Sequence, residues 1–537
     1  MTEHDIQLPP TPVEAYEQRR RQWFWFAVVV VLLLLGLWVY NRLFVEHPVD
    51  YADDAEHFKY GSIGSDVDGG IPYAIWRALP LICSRHLPDP EAFAALPVAE
   101  QHGLGGYRQF GFLTEPGRER PVGFSQRRVV VDRVGLNCAV CHVSTVRGAD
   151  NDPPRRLMLG MPANTVNLQG YFQFLFDCAA DGDFTTERVM AAVEAVADPG
   201  WLEGWLLRRA VAPLRETLLT RRQQLAFMNE VPTFGPGRVD TFNPYKTMVF
   251  NEPWDGTVGT ADFPSLWNQA PREGMNLHWD GNNDSVLERN ISAALGAGAT
   301  PESLDVERML RVAAWIGAPD PRQEISEQAR NRRIQAARAN PRPGPGELAI
   351  PAYPFPVDQA LAERGEALYD VYCADCHDWQ GAAIGTVVPL EAIGTDPHRL
   401  ASFDEAMAQR QNTLGEGHWW AFDHFKATDG YANMPLDGLW ARAPYLHNGS
   451  VPTLRDLLRP PAERPRVFYR GDDRYDPVDV GFFHREPVDD QGRALFEYRV
   501  VDGQGEPIPG NDNGGHVYAT DLAPAEVEAL LEYLKTL

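Results

Sequence analysis

The feature that most restricts how this chain can fold is a short cysteine–histidine pattern, Cys-x-x-Cys-His, which occurs twice and ends at His142 and at His377. The cysteines of the two copies are Cys138, Cys141, Cys373 and Cys376. Thiols three positions apart on one turn can each bond the edge of a haem, and the histidine that follows can bind its iron. One copy alone could be half of a zinc site, but two separated copies predict two covalently bound c-type haems and therefore a redox protein.

A second strong feature is an uncharged, apolar stretch near the N-terminus, residues 23–40. As a helix it would span about 27 Å, close to the thickness of a bilayer core. Aromatic residues stand at both of its ends, and Arg19, Arg20 and Arg21 precede it, which predicts that the short N-terminus stays in the cytoplasm. No small-residue cleavage site follows, so we expect an uncleaved single-pass anchor rather than a signal peptide. The rest of the chain is then expected in the bacterial periplasm, bound to the inner membrane through this helix.

Charge and cysteine usage limit the partners and the compartment. The 537-residue chain has a formal net charge of −25, which argues against nucleic-acid binding. The same charge would permit a basic periplasmic redox partner protein, although solubility alone would explain it. The cysteines outside the haem patterns are Cys83 and Cys178. In an oxidising compartment they could form a disulfide, and the alternative is two buried free thiols.

The second haem pattern has the surroundings of a small cytochrome c. The stretch that leads into Cys373 reads as an amphipathic helix with Asp358 as its N-cap. Residues 521–537 form a second predicted helix, with one apolar face made by Val527, Leu530, Leu531 and Leu534. We therefore expect these two helices to pack on each other, with the haem in the core between them.

The first haem pattern follows a β-like stretch, residues 127–132, and lies in a much larger region rich in Gly, Pro and Trp. Such a shell predicts a pocket or a covered reactive face, and decoration for stability is the alternative. The proline-rich linker that follows contains an arginine-rich run, 323–339, that could form a helix. The predicted units are a cytoplasmic tail (1–22), the anchor (23–40), a haem 1 domain (41–318), the linker (319–356) and a haem 2 domain (357–537). The expected fold is mainly α-helical with extensive loops, a few short strands and two cytochrome c-like haem domains, the first greatly elaborated.

Several short segments carry a resemblance to a known family. In the C-terminal third they are 435–454, Gly-Asn-Asp-Asn-Gly-Gly-His at 510–516, and 518–522. In the first half they are Leu-Asn-Cys-Ala-Val-Cys-His at 136–142, then 159–164 and Gly-Thr-Ala-Asp-Phe-Pro-Ser-Leu-Trp at 259–267. Together they resemble the di-haem rubber oxygenases, a branch of the bacterial di-haem cytochrome c peroxidase superfamily that is related to bacterial fatty-acid dioxygenases. The resemblance covers roughly residues 50–537, but this chain is shorter than those oxygenases and is tethered, which argues against rubber as substrate.

The resemblance implies a division of labour between the two haems. Haem 1, held by His142, would keep one face open for dioxygen, while haem 2, held by His377, would have two protein ligands and transfer electrons. Iron chemistry agrees, because an iron activates dioxygen or peroxide only if one axial position is free or weakly held. The peroxidase branch also implies a calcium ion between the domains, although no EF-hand loop is present in the sequence.

Three residues compete for the sixth ligand position of haem 2. His516 matches by position the C-terminal histidine that holds the second haem in the rubber oxygenases. Met434 lies at a distance from the pattern where small cytochromes c place their axial methionine, and His447 lies in a predicted tight turn. The choice matters because two histidine ligands give a lower reduction potential than a histidine and a methionine.

The reactive side of haem 1 has two candidate residues, His278 and Trp279. Trp279 looks like the tryptophan of an aromatic pair that lies beside the dioxygen in the rubber oxygenases, and it could relay electrons between the haems or simply pack in the core. His278 replaces the other aromatic residue. It could donate a hydrogen bond to bound oxygen, act as an acid–base group on peroxide, bind the iron or be purely structural. Met158 and Met161, close to the first pattern, are better explained by packing than by iron binding.

Three functions are compatible with these residues. The first is a tethered di-haem oxygenase that adds dioxygen to an alkene of an apolar substrate, such as an unsaturated fatty acid or an isoprenoid. The second is a peroxidase in which haem 2 passes electrons from a small periplasmic donor to haem 1, where hydrogen peroxide is cleaved. The third is a tethered electron carrier in which both irons have six ligands. The large first domain favours the two enzymes.

Overall fold

The structure, a computed structural model, describes residues 11–148, 156–322, 326–344 and 346–537. The helices are α1 (Pro12–Phe44), α2 (Asp54–Tyr60), α3 (Tyr73–Ile82), α4 (Pro90–Ala95), α5 (Val98–Gln101), α6 (Gly105–Arg108), α7 (Leu168–Ala180), α8 (Thr186–Val196), α9 (Trp201–Gln224), α10 (Val286–Gly296), α11 (Val306–Trp315), α12 (Glu327–Ala339), α13 (Gln359–Tyr372), α14 (Ala374–His377), α15 (Leu390–Ile393), α16 (His398–Ala401), α17 (Glu405–Gln411), α18 (Leu454–Leu457) and α19 (Pro524–Leu534). The strands are β1 (His47–Pro48), β2 (Ile71–Pro72), β3 (Phe124–Val129), β4 (Val131–Leu136), β5 (Val143–Val146), β6 (Arg156–Leu159), β7 (Arg238–Asp240), β8 (Thr260–Asp262), β9 (Val387–Pro389), β10 (Gly430–Ala432), β11 (Val467–Arg470), β12 (Tyr475–Asp476), β13 (Gly481–Phe482) and β14 (Phe496–Arg499). The predicted class, mainly helical with short strands, is confirmed.

Helix α1 contains the predicted anchor and extends beyond it at both ends. Its segment Ala15–Phe44 is long and apolar enough to cross a membrane, or to serve as a signal sequence, and none of its most apolar part is buried against the rest of the protein. The end of the helix is fixed to the folded body, because the Arg42 guanidinium donates a hydrogen bond to the Val130 carbonyl oxygen. Strand β1 follows at once and pairs with β3. The first ten residues of the predicted cytoplasmic tail lie outside the described residues.

A four-stranded antiparallel sheet with the order β1-β3-β4-β2 joins the end of α1 to the first haem pattern. Its register places Pro48, Arg127, Arg133 and Pro72 in one row across the strands. The β-like stretch predicted at 127–132 is confirmed as β structure, but it divides between β3 and β4. The division falls at Val130, whose φ of 66° is a left-handed conformation that turns the chain back on itself. Strand β4 then leads directly to Cys138.

A disulfide joins Cys83, just after α3, to Cys178 in α7, with a Cα–Cα distance of 5.4 Å. Both cysteines are fully buried, and the bond closes a loop with a sequence separation of 95 residues. We expect the double substitution Cys83→Ala/Cys178→Ala to lower the free energy of unfolding by about 2–4 kcal/mol, because the unfolded chain regains the freedom of that loop. Urea denaturation of the haem-loaded protein measures this, with an unchanged haem content per chain as the control. Equal stability of the two proteins would contradict it.

The predicted helix before the second haem pattern is confirmed as α13. The backbone N–H of Leu361 donates to the Asp358 carboxylate at 3.0 Å, so Asp358 is the N-cap that the sequence predicted. The C-terminal helix α19 begins at Pro524 rather than at 521, since proline is well suited to the first turn of a helix. Its start is fixed by the Glu526 carboxylate, which accepts from the Ala523 N–H at 2.8 Å.

Helices α13 and α19 pack on each other, as the cytochrome c arrangement predicts. They cross at Gly365, where a Cβ atom would overlap the carbonyl oxygen of Ala529, so the close approach requires glycine. Beside the crossing, the rings of Tyr369 and Tyr533 lie 5.1 Å apart between centroids. Leu530, on the predicted apolar face, is fully buried in the same core.

The regions around the two haem patterns share a core and buried ion pairs. Met161 and Trp267 of the first region pack in one apolar cluster with Trp440 of the second, and Met158 belongs to the same cluster. The packing interpretation of both methionines is therefore confirmed. The Asp262 carboxylate pairs with the Arg470 guanidinium at 3.0 Å, and both side chains are almost completely buried.

The predicted helical run in the linker is confirmed as α12, although Gln323 and Pro345 lie outside the described residues. The helix packs against the first region, because the Arg338 guanidinium donates to the Pro271 carbonyl oxygen at 2.9 Å. The linker therefore packs against the region around the first haem pattern, which precedes it in the chain.

Candidate functional site

The first haem pattern forms a tight turn between β4 and β5. Residues Cys138–Val140 make one 3₁₀ turn, and the Asn137 side chain caps it by accepting from the Ala139 N–H at 3.0 Å. Neither Cys138 nor Cys141 is in a disulfide, so both thiols are available for haem attachment. The pattern predicts this short turn, which brings both sulfur atoms and His142 to one side of the chain.

His142 is oriented by a backbone carbonyl from a distant part of the chain. Its ring Nδ1 donates to the Pro264 carbonyl oxygen at 2.8 Å, which leaves the Nε2 lone pair free. Burial lowers the pKa of His142 to about 4, so the ring is neutral at physiological pH. A neutral imidazole with one N–H held by a carbonyl is the state in which histidine binds a metal.

The second haem pattern repeats this arrangement. Cys373 follows the last residue of α13, and His377 ends the short helix α14. His377 Nδ1 donates to the Met434 carbonyl oxygen at 2.7 Å, and burial lowers the pKa of the ring. Both patterns therefore present a neutral histidine with a free Nε2.

His516 faces His377 across a gap that fits one metal ion. The two ring centroids are 6.3 Å apart, and two imidazoles bound to one metal at about 2 Å on opposite sides place their centres roughly 6 Å apart. The buried Nδ1 atom of His516 has no hydrogen-bond partner among the described residues, so this ring nitrogen is available. Burial lowers the pKa of His516 to about 3, which keeps the ring neutral. The residues present fit an iron with two histidine ligands.

The other two contenders are placed differently. The Met434 carbonyl is bonded to His377, so Met434 lies on the same side of the site as His377, and it also lines a cavity that belongs to the first pattern. His447 is buried with its ring stacked on Tyr431, the centroids 4.1 Å apart. The structure thus brings His377 together with His516.

A cavity of about 720 Å³ covers the first haem pattern. Cys138, Cys141, His142, His278 and Trp279 all line it, so the structure brings the sequence-predicted residues of the haem 1 site together. Helices α7 and α9 supply much of the apolar wall, including Leu168, Phe172, Phe176, Leu214 and Leu218. A haem bound to the pattern would fill part of this volume, and the apolar wall beyond it suits an apolar small molecule.

His278 enters this cavity in a left-handed backbone conformation, with φ 64°. Its Nδ1 donates to the side-chain oxygen of Asn282, which leaves Nε2 with a free lone pair. Burial lowers the pKa of His278 to about 4. A neutral His278 can therefore accept a proton or bind a metal through Nε2, two of the roles that the sequence left open.

Trp279 lies between the backbone segments that orient the two proximal histidines. Its indole N–H donates to the carbonyl oxygen of Asp262 at 2.9 Å, two residues before Pro264. Its own carbonyl oxygen accepts from the Ala432 N–H at 2.8 Å, two residues before Met434. A short chain of hydrogen and covalent bonds thus links His142 to His377 through Trp279.

Unmatched positive charge in the cavity provides a separate test of whether a haem fits. Arg289 lines the cavity and forms no ion pair with any described residue, and burial lowers its pKa to about 10. Its charge lowers the pKa of both His142 and His278, so it lies close to both rings. A haem carries two carboxylates, and Arg289 would supply a cation for one of them. Asp262 and Pro264 lie in the family-like segment 259–267 but were not predicted as site residues, and nothing in the sequence indicated Arg289.

Apart from the haem sites, the described part of the chain contains a cluster of three potential metal ligands, namely Glu288, Asp423 and His424. The Glu288 carboxylate already accepts from the backbone N–H groups of Asp423 and His424, at 3.0 and 3.1 Å. These hydrogen bonds hold the backbone at Asp423 and His424 against Glu288, which gives the three side chains a structural role. Calcium stays a prediction that the geometry does not test.

The segment that orients His377 is also the one that a family model recognises. Strand β10, the Met434 carbonyl and Arg442 all lie within it. Residues 430–469 match the RoxA-like, cytochrome c-like family model. This RoxA-like segment supports a RoxA-like c-type cytochrome family for the chain and haem as its cofactor.

Two bacterial proteins are similar to the chain over longer stretches. The chain is 34% identical over 318 residues to the uncharacterized protein y4iM of Sinorhizobium fredii, a match that covers 51% of this chain and 64% of that protein. It is 25% identical over 535 residues to the uncharacterized protein y4iJ of the same bacterium, covering 80% of this chain and 84% of that protein. The chain thus matches less than two thirds of the length of y4iM, and neither name states an activity.

Proposed function

We propose that this chain is a membrane-anchored, periplasmic di-haem c-type cytochrome that oxygenates an unsaturated apolar substrate. The observation that carries the proposal is the difference between the two sites. His142 lines a cavity of about 720 Å³ that would hold haem 1 and has an apolar wall, whereas His377 faces His516 at a distance that one iron would fill. Haem supplies dioxygen activation and one-electron chemistry when it is bound.

The residues around His142 would bind and orient the substrate. The apolar wall formed by α7 and α9 would hold a hydrocarbon chain and exclude water from the reacting carbon atoms. The Pro264 carbonyl would fix the orientation of the His142 ring, and Arg289 would pair with a haem carboxylate. The neutral His278 would hold or accept a proton at Nε2 beside the substrate.

The location is proposed on three observations. The helix Ala15–Phe44 is apolar and has no apolar partner within the described chain. Arg19, Arg20 and Arg21 precede its uncharged part, which favours a cytoplasmic N-terminus. The Cys83–Cys178 disulfide is of a kind that persists outside the cytoplasm.

The position of Trp279 supports a role in electron transfer between the two sites. We expect Trp279→Phe, which removes the indole N–H bonded to Asp262, to slow inter-haem electron transfer several-fold and to leave the haem content unchanged. Pulse radiolysis of the haem-loaded protein measures the rate. Trp254→Phe is the matched control, since the Trp254 indole donates a similar bond to Thr257, also at 2.9 Å. Equal rates in the two variants would contradict the assignment.

A peroxidase is the second candidate function, and the neutral His278 in the cavity favours it, because peroxide cleavage needs an acid–base group. Two assays on the haem-loaded protein separate the candidates. Oxygen uptake with an unsaturated fatty acid and no electron donor, with an oxygenated product in the mass spectrum, supports the oxygenase. Peroxide consumption that requires a reduced periplasmic donor protein, without oxygen uptake, supports the peroxidase.

A further inference from the structure

Two arginines that no part of the proposed chemistry uses lie at one end of the haem 1 cavity. Arg133 belongs to β4 and Arg221 to the last turn of α9, and both line the cavity. They flank one short loop: Arg133 donates to the Val67 carbonyl oxygen, and a Cβ atom on Gly69 would lie 3.5 Å from Arg221 Nη2. The two guanidinium groups therefore face the same end of the cavity.

Two arginines and one aspartate of the described chain line this end of the cavity, and Glu46, which also interacts with Arg133, is paired with Arg127 at 2.8 Å. No described carboxylate pairs with Arg221, whose pKa is lowered by burial alone. The Nε atom of Arg133 is buried and has no hydrogen-bond partner among the described residues. The one acidic neighbour that also lines the cavity, Asp68, is exposed and accepts a hydrogen bond from the Thr300 hydroxyl at 2.8 Å. Both arginines are partly buried, and taking a guanidinium group out of water is costly unless an anion pairs with it.

The rest of the cavity between this end and the first haem pattern is apolar. Leu218 and Leu214 lie on the same helix as Arg221, about one and two turns before it, and both line the cavity. Phe172 and Phe176 of α7 line the cavity as well. The cavity therefore has a cationic end, an apolar body and an iron-binding histidine.

The cationic end lies close to the point where α1 reaches the folded body. Arg133 and Pro48 stand in the same row of the sheet, two strands apart, which corresponds to about 10 Å. Arg42, two residues beyond the uncharged stretch, contacts Val130 at the tip of the β3–β4 hairpin. Arg133 is three residues from that tip, about 10 Å along the strand. If α1 spans the membrane, the cationic end lies near the headgroup level.

We propose that Arg221 and Arg133 bind the carboxylate head of a long-chain fatty acid that enters the haem 1 cavity from the membrane surface. The inference rests on the proposed anchoring of α1 and narrows the substrate class of the proposed oxygenase. An arginine fork matches the two oxygen atoms of a carboxylate, and the apolar body takes the hydrocarbon chain toward His142. A neutral hydrocarbon such as an isoprenoid would offer neither arginine an anionic partner.

Binding can be measured without turnover. The full-length, haem-loaded protein is held in lipid nanodiscs without oxygen and titrated with cis-parinaric acid, a fluorescent polyene fatty acid that a nearby haem quenches. We expect Arg221→Gln to weaken binding about tenfold, the effect of losing one charge-assisted hydrogen bond, and Arg221→Lys to retain most of the affinity. The methyl ester of the probe should bind equally to all forms.

Arg222→Gln is the matched control, because Arg222 is the next residue, is exposed and pairs with Asp177 at 3.1 Å. It should bind the acid as the unchanged protein does. Equal affinity for acid and ester in the unchanged protein, or equal loss in the two glutamine variants, would overturn the proposal. If the acid binds through Arg221 but is not oxygenated, the proposed function fails and the binding site stands. If oxygenation proceeds at the normal rate and KM in Arg221→Gln, the proposed function stands and the site fails.

The route of entry has its own test. The probe is loaded either into the nanodiscs that carry the protein or into protein-free nanodiscs, and quenching is followed by stopped flow. Entry from the membrane surface predicts faster quenching when the probe shares the disc with the protein. Equal rates would mean entry from water and would overturn the membrane route.

Discussion

Replacing Cys138 and Cys141 with serine should remove one of the two predicted haems and abolish oxygenation. Two thioether bonds and His142 would hold the haem at this cavity, so the variant would keep the cavity but lose the iron in it. We expect the haem content to fall from two per chain to one, in line with the two patterns of the sequence, and oxygen uptake to fall below detection. A pyridine haemochrome assay and an oxygen electrode measure these effects.

The matched control is Cys373→Ser/Cys376→Ser, which removes the other haem by the same chemistry. It should also contain one haem, but that haem should keep an open axial position, since His142 faces the cavity. Oxygen uptake that persists in the Cys138→Ser/Cys141→Ser variant would show that the reactive iron is not held by the first haem pattern. That result would contradict the proposed division of labour.

The second large effect is expected for His516→Met. If His377 and His516 both bind haem 2, methionine at 516 replaces an imidazole by a thioether, which stabilises the reduced iron. We expect the reduction potential of this haem to rise by on the order of 0.1 V, because axial ligands set haem potentials over a wide range. A spectroscopic redox titration of the full-length protein measures it.

Met434→Leu distinguishes the competing ligand assignment. The contact of Met434 with the site is made by its backbone carbonyl, which the substitution leaves in place. We therefore expect an unchanged potential and an unchanged low-spin spectrum. A high-spin haem 2 in Met434→Leu, together with an unchanged potential in His516→Met, would show that the sulfur of Met434 is the ligand instead.

Helices and turns that are determined by residues close together in the chain could be predicted from the sequence. Asp358 and the apolar repeat after it predicted α13, and the thiol spacing predicted both attachment turns. The turn at Val130 could not be predicted, because the stretch around it is β-branched and lacks the glycine or asparagine that usually marks a hairpin. Pro524 could have indicated the later start of α19, since proline favours the first helical turn.

The contacts that make the site depend on residues far apart in the chain, and sequence reasoning could not supply them. Pro264 lies 122 residues after the histidine that it orients, and Met434 lies 57 residues after His377. Neither carbonyl has a side-chain signal. For the same reason the sequence left three contenders for the ligand opposite His377, and only the three-dimensional arrangement brings His516 to it. The lack of a partner for Arg289 likewise becomes visible only when the surrounding carboxylates are located.

The central claim is that one iron site is open and the other is closed, and low-temperature EPR of the oxidised, full-length protein tests it most directly. The cavity over His142 and the facing pair His377 and His516 predict a high-spin and a low-spin signal in about equal amounts. The low-spin signal should be the one that disappears in Cys373→Ser/Cys376→Ser. Two low-spin signals and no high-spin signal would mean that a side chain such as His278 closes the haem 1 site at rest, and would contradict the account.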